Sequence, residues 1–254
     1  MPAVPRLRSA VVAISVALLV AACGGGSDDR PSLGAPSRQG PVTTTTVPDY
    51  ISFNAQPIGD EVEIYEAPDE SSPSETYPNP WLLDGNPEHA VPQIFLVEEQ
   101  RDDWARVLLP VRPNGTSGWV KKDDVQLTQN RFRIQVELSA HQITVWDGAN
   151  VIIQEPVAIG KESTPTPTGR YYTRVLLKAP DPNTVYGPYA YGLSGHSEVL
   201  TEFNGGDGEL GIHGNNDPSV LGKSVSAGCI RMSNESITRL AGILPLGTPV
   251  DIVP

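Results

Sequence analysis

The chain has 254 residues, a formal net charge of −12, 39% hydrophobic residues, 24 glycines and 25 prolines. That length allows two modest domains, since globular units usually run about 100–150 residues. The acidity, with no basic stripe, excludes a nucleic-acid surface and charge-driven docking on anionic lipid, and the glycine and proline content favours turns and short strands over long helices.

Arg6 and Arg8 open the chain, and residues 9–22 are a run of small, mostly apolar side chains. A spanning helix needs about 20 apolar residues, so residues 1–22 read as a signal segment rather than an anchor helix. The run stops at Val20-Ala21-Ala22-Cys23, which resembles a bacterial lipobox. The resemblance implies cleavage before Cys23, lipid on its sulfur and new amino group, and an exported protein held on the outer face of the cytoplasmic membrane, facing the cell wall. Residues 23–49 carry Gly, Ser, Pro and the Thr43–Thr46 run, with too few apolar groups to fold. As a flexible linker of roughly 25 residues they span about 27 Å on average and at most about 80 Å.

Residues 50–128 read as short strands between turns: Val62-Glu63-Ile64-Tyr65, Ile94-Phe95-Leu96-Val97, Trp104-Ala105-Arg106-Val107-Leu108 and Gly118-Trp119-Val120, with Pro113-Asn114-Gly115 as a tight turn. The order Tyr-x-x-Pro, hydrophobic strand, Asp-x-Trp-Ala-x-Val, Gly-Trp-Val resembles a bacterial SH3-like barrel. Trp104 and Trp119 read either as the lining of a groove for wall peptide or as barrel core. A spacer or scaffold role for this unit is the default.

Residues 130–254 form the second domain. Alternation over 131–138 puts Phe132, Ile134, Val136 and Leu138 on one face, Gln142 to Trp146 repeats the pattern, and Asp147-Gly148 turns the chain into Val151-Ile152-Ile153. A fold of stacked sheets follows, with short helices near 217–222 and from Asn234 to about Leu244, and a closing strand over 248–253. The Gly- and Tyr-rich stretch 186–196 reads as part of a cleft, a mobile cover or a surface loop.

The chemistry concentrates in residues 211–232. His213, one of four histidines, precedes Cys229 by 16 positions (229 − 213), and Gly211, Gly214 and Gly228 flank the pair. A thiol attacks as the thiolate, so it needs a base or positive surroundings, which imidazole supplies. Glycine beside a nucleophile lets backbone N–H groups approach an acyl oxygen. A small buried cysteine and a core histidine are the alternative reading. Against that, there are two cysteines in all, and with Cys23 lipidated Cys229 is a lone thiol in an oxidising location. His196 is the rival base. The pattern shows no cluster with metal-ligand spacing and no phosphate-cradling loop, so neither metal nor nucleotide cofactor is expected.

Ile-His-Gly, the spacer Asn-Asp-Pro-Ser-Val-Leu-Gly-Lys, Ser-x-Gly-Cys-Ile-Arg-Met and the upstream Thr-Pro-Thr-Gly-Arg-Tyr of residues 166–171 resemble the L,D-transpeptidase catalytic domain. Ala227 stands where many members carry histidine. The resemblance implies a mainly β fold, an SH3-like small barrel followed by a β-sandwich-type catalytic domain with one or two short helices. It implies Cys229 as nucleophile and His213 as base, with Gly228, Ser226, Gly214 and Arg231 shaping the site and the Gly228 and Cys229 N–H groups as oxyanion donors. Peptidoglycan stem peptides are the implied partners: a donor tetrapeptide that loses D-alanine and an acceptor amine, joined in a 3-3 cross-link, with carbapenem-type β-lactams as covalent inhibitors. Hydrolysis by an L,D-carboxypeptidase, an endopeptidase of the NlpC/P60 type and a non-catalytic wall-binding lipoprotein are the alternatives. In the endopeptidase the cysteine comes first in the chain, the reverse of the order here.

Overall fold

The computed structural model describes residues 50–83, 85–202 and 206–254; the signal segment, Cys23 and the linker lie outside the described residues. The first strands are β1 (Ser52–Pro57), β2 (Glu61–Tyr65), β3 (Ser74–Pro78), β4 (Trp81–Leu82) and β5 (Ala90–Val91). They are followed by β6 (Phe95–Arg101), β7 (Trp104–Leu108), β8 (Ser117–Lys121) and β9 (Val125–Asn130). Seven of them make one antiparallel sheet in the order β3-β2-β8-β7-β6-β1-β9. Alternation decides which side chains go inside: Val62 and Ile64 of β2 and Ala105 and Val107 of β7 meet Phe95 and Val120 in a common core. Trp119 is 7% exposed beneath the Arg101 guanidinium, so it belongs to the wall of the sheet and not to an open aromatic groove. Trp104 stays half-buried, edge-on to Tyr65 at 5.2 Å.

The second half runs β10 (Phe132–Glu137), β11 (Gln142–Asp147), β12 (Asn150–Pro156), β13 (Ile159–Gly160), β14 (Gly169–Lys178) and β15 (Tyr189–His196). It continues with β16 (Glu209–His213), β17 (Ser224–Ser226), β18 (Ile230–Arg231), the helix α1 (Asn234–Ala241) and β19 (Pro249–Val253). Eight strands form a curled sheet in the order β12-β11-β10-β19-β14-β15-β16-β18, parallel at β10·β19 and β16·β18. The short strands β13 and β17 pair in parallel beside it. The fold is mainly β, with one α-helix among the described residues. Gly148, at φ +60°, makes the turn between β11 and β12, a conformation that glycine adopts without steric cost.

Two expectations are corrected. The helix expected over 217–222 is only a 3₁₀ turn, Pro218–Val220, in which Asp217 accepts from the Ser219 N–H at 3.0 Å. Six residues ending at Gly222, which sits at φ +82°, are too few to nucleate an α-helix. The stretch 186–196 is not a loop throughout, because β15 takes Tyr189–His196 into the sheet and leaves Tyr191 1% exposed. Gly195 is there for packing. A Cβ on Gly195 would lie 2.3 Å from the Tyr171 ring, so the strand can cross that ring only without a side chain.

Helix α1 starts where its cap predicts: Ser233 Oγ accepts from the Ser236 N–H at 3.1 Å. It ends at Ala241, short of Leu244, and the Tyr191 hydroxyl lies 3.0 Å from the Leu240 carbonyl and 3.1 Å from that of Leu244. Ile237 and Leu240 of α1 join Ile134, Val145, Leu210, Ile212, Ile230 and Val250 in the larger core.

The two sheets belong to one compact unit. Leu96, Leu108 and Tyr172 form a small buried cluster drawn from both, and Asn130 Nδ2 donates to Thr248 Oγ1 at 3.0 Å. A second bridge comes from the turn after β7. Arg112 donates to the carbonyls of Ser197 (2.5 Å), Leu200 (3.1 Å) and Asp207 (2.5 Å). Beside it, Asn114 Nδ2 donates to the His196 carbonyl at 2.8 Å while Asn114 Oδ1 accepts from the His196 N–H at 2.9 Å.

Candidate active site

Strands β16 and β18 place the two candidate catalytic groups. Their parallel register pairs Ile212 with Ile230 and His213 with Arg231. Ile212 and Ile230 are 1% and 0% exposed in the core, so alternation turns Glu209, Gly211 and His213 of β16, with Cys229 and Arg231, toward the opposite face. There His213, Ser226, Cys229 and Arg231 line one cavity of about 90 Å³, together with Tyr186 and Glu209. A Cβ built on Gly211 would lie 3.8 Å from Cys229 Sγ, which puts the thiol directly beside this strand.

His213 Nδ1 lies 2.7 Å from the Gly214 carbonyl oxygen. A carbonyl only accepts, so Nδ1 carries the proton, and in the neutral ring Nε2 is left as the base. The His213 side chain is almost fully buried, and that burial pushes its pKa down to about 4. Hydrogen bonding to the Gly214 backbone opposes the shift, Arg231 adds to it, and the Val185 backbone opposes it again. Tyr186 covers the ring with centroids 5.0 Å apart. Gly214 is glycine because a Cβ there would lie 2.3 Å from Asn234 Oδ1, which accepts from the Asn215 N–H.

Cys229 is a free thiol whose pKa burial raises; a Gly211 backbone hydrogen bond and Arg231 pull it the other way without winning. The surroundings thus do not hold a standing thiolate. With the thiol's pKa raised and the imidazole's lowered, these surroundings favour thiol and neutral imidazole over an ion pair.

The loop bearing Cys229 is clamped from within. Ser226 Oγ donates to the Cys229 carbonyl at 2.6 Å and accepts from the Gly228 N–H at 3.1 Å. That second bond corrects one expectation: the Gly228 N–H is engaged by Ser226 and does not point at an acyl oxygen, leaving the Cys229 N–H as the oxyanion donor to consider. Gly228 serves the loop through its φ of +125°, a conformation closed to other residues. Thr166, 4% exposed, supports the loop from below: its Oγ1 donates to the Gly228 carbonyl at 2.7 Å and accepts from the Gly160 N–H at 2.8 Å. The Thr-Pro-Thr-Gly stretch is visible in the sequence, but the contact that explains it is not.

His196 does not line the cavity. Its ring is 2% exposed and its Nε2 lies 3.0 Å from Asp207 Oδ2. Ligand atoms of His196, Asp207 and Glu209 fall within 4.8 Å of one another, a cluster that sequence spacing does not reveal. The group is occupied by its own pairs, Glu209 accepting from Arg174 Nη1 at 2.7 Å, and Arg112 and Arg174 set positive charge beside His196, which disfavours a bound cation.

In the second sheet a free thiol and an imidazole, carried by or next to two adjacent parallel strands, line one cavity. Residues 131–252, just under half of the chain, match the family model of YkuD, the L,D-transpeptidase catalytic domain. YkuD of Bacillus licheniformis, named as an L,D-transpeptidase, is 36% identical over 123 residues, which are 48% of this chain and 66% of that protein. The chain therefore spans just under two thirds of that relative. Among solved structures, Bd1075 of Bdellovibrio bacteriovorus is 26% identical and 48% of each chain is covered, with a TM-score of 0.39. The LD transpeptidase LdtMt1 in complex with imipenem is 16% identical over 63% of this chain and 89% of that one, with a TM-score of 0.40.

Proposed function

We propose that the chain is a peptidoglycan L,D-transpeptidase that forms 3-3 cross-links through a Cys229 thioester. The observation that carries this reading is that His213 and Cys229 line one cavity, with the His213 Nδ1 held by the Gly214 carbonyl so that Nε2 is the basic nitrogen of the neutral ring. As Cys229 attacks the carbonyl of the third stem residue, His213 removes the thiol proton. It then passes that proton to the departing D-alanine nitrogen as the C–N bond breaks. The thioester keeps the energy of the broken peptide bond, so no nucleotide is required. An acceptor amine attacks it, loses a proton to His213, and the thiolate leaves and is reprotonated. The Cys229 N–H stabilises the oxyanion, a contribution worth about 3–4 kcal/mol per donor in other enzymes.

Incubating the protein with a tetrapeptide stem and following products by mass spectrometry tests the reading. A cross-linked product with release of D-alanine is expected, and Cys229→Ala is expected to abolish it while the fold persists. Tripeptide alone would mean hydrolysis. A carbapenem adduct on Cys229 would establish the nucleophile independently of substrate. At the other end, the reading includes lipidation of Cys23, a linker over 23–49 and an SH3-like scaffold. Retention of Cys23→Ala in the membrane fraction with unchanged lipid labelling would remove the anchor from it.

A further inference from the structure

The peptide unit between Gly214 and Asn215 is held at both ends. Its carbonyl accepts from His213 Nδ1 at 2.7 Å, and its N–H donates to Asn234 Oδ1, also at 2.7 Å. Because a peptide unit is planar, one rigid plate joins the side chain of Asn234, the first residue of α1, to the imidazole. A Cβ on Gly214 or on Gly187 would lie 2.3 Å from the same Oδ1, so backbone from two segments closes around it. The preceding unit, His213–Gly214, is held by main chain: the Gly214 N–H donates to the Tyr189 carbonyl at 3.2 Å and the Met232 N–H to the His213 carbonyl at 2.9 Å. Neither bond engages the Gly214–Asn215 unit.

Resting on the transpeptidase reading, we infer that Asn234 is a positioning residue for the general base, acting through the Gly214–Asn215 peptide to keep the His213 proton on Nδ1. An amide whose N–H donates is polarised, and its carbonyl becomes a stronger acceptor. Without Oδ1 the Asn215 N–H loses its partner, and the plane turns about the flexible Gly214 and takes the carbonyl away from Nδ1. The ring is then free to carry its proton on Nε2. In that form Nε2 has no lone pair to take the Cys229 proton. The helix does not depend on this side chain: Ser233 Oγ caps it, Ile237 and Leu240 pack it, and Asn234 itself is exposed. Its Oδ1 is committed to the peptide beside the base instead.

The test compares the full chain with its Asn234→Ala and Asn234→Asp variants. Nitrogen-15 spectra of the His213 ring at neutral pH read the tautomer directly, with no substrate present. Wild type is expected to show the Nδ1–H form and Asn234→Ala a mixture of the two forms. In Asn234→Ala the rate of Cys229 acylation by a carbapenem is expected to fall about tenfold. Asn234→Asp keeps an acceptor in place, so it is expected to hold the Nδ1–H form and restore most of the rate. Its added negative charge favours the imidazolium, so the acid limb of acylation should move to higher pH. If Asn234→Ala fails to fold, Asn234→Ser, whose shorter hydroxyl falls short of the Asn215 N–H, must show the mixture instead. A variant that loses stability but keeps the wild-type tautomer and acid limb makes Asn234 a structural bond only and overturns the inference. Absence of any acylation in wild type would instead refute the thioester reading, and the ring spectra would still decide the role of Asn234.

Discussion

Thr166 Oγ1 spans two loops with one atom, donating to the Gly228 carbonyl at 2.7 Å and accepting from the Gly160 N–H at 2.8 Å. Both partners are buried backbone groups, so replacing the hydroxyl by a methyl leaves a donor and an acceptor unsatisfied. Each such loss costs about 1–3 kcal/mol. Thr166→Val is therefore expected to lower stability by about 2–4 kcal/mol in urea unfolding and to slow acylation of Cys229, because the loop that positions the thiol loses its support. Thr166→Ser, which keeps the hydroxyl, is expected to recover most of both.

The resting protonation states fix a pH dependence. His213 is pushed from the ordinary 6.5 down to about 4, so it remains a free base in mildly acid solution. The acid limb of kcat/KM is expected well below pH 6.5. A group whose folded pKa is depressed contributes stability that is full above the unfolded value and is lost as pH falls through the folded one. Stability should thus decline between about pH 6.5 and 4 in wild type and decline less in His213→Asn. Thermal melts of the two proteins across that window check it; equal slopes would contradict a buried neutral imidazole.

Glu155 of β12 gathers the start of α1. Its carboxylate accepts from the Ser233 N–H at 2.8 Å, Ser233 Oγ at 3.0 Å and Ser236 Oγ at 2.7 Å. A negative charge at a helix N-terminus also meets the positive end of its dipole. Glu155→Ala is expected to cost about 1–3 kcal/mol, visible as a lower urea midpoint with unchanged slope. Because α1 follows directly on β18, the same variant should slow carbapenem acylation of Cys229.

Much of this was legible before any coordinates. Strands with one buried face announce themselves by alternation, and β7 spans Trp104–Leu108 as the pattern predicts. The catalytic candidates were legible because Cys and His carry chemistry that few other residues share. What stayed hidden was long-range. Strand β15 reads as a loop because its glycines make room for neighbours visible only in three dimensions, Gly195 for the Tyr171 ring and Gly192 for Val175. The Gly228 N–H looked available until Ser226, two residues away, turned out to hold it. Nothing local to Glu209 in the sequence reports that it shares a strand face with His213 and a cavity with Cys229.

Asn114 shows that the first sheet is more than a spacer for the second. Its side-chain amide closes both a donor and an acceptor bond with the His196 backbone, while Arg112 two residues earlier holds three carbonyls, those of Ser197, Leu200 and Asp207. Ser197, Leu200 and Gly208 line the same cavity as Cys229. Part of that cavity's wall is thus held from the first half of the chain. Gly208 admits no side chain, since a Cβ there would meet the Leu200 carbonyl oxygen at 2.0 Å. Asn114→Ala is expected to accelerate exchange of the His196 amide hydrogen by at least tenfold, a loss of about 1.4 kcal/mol of local protection. Arg112→Ala is expected to lower kcat/KM for stem peptide several-fold while circular dichroism stays native. Unchanged exchange in Asn114→Ala together with unchanged turnover in Arg112→Ala would mean that the catalytic half sets its own cleft and that the first sheet merely accompanies it.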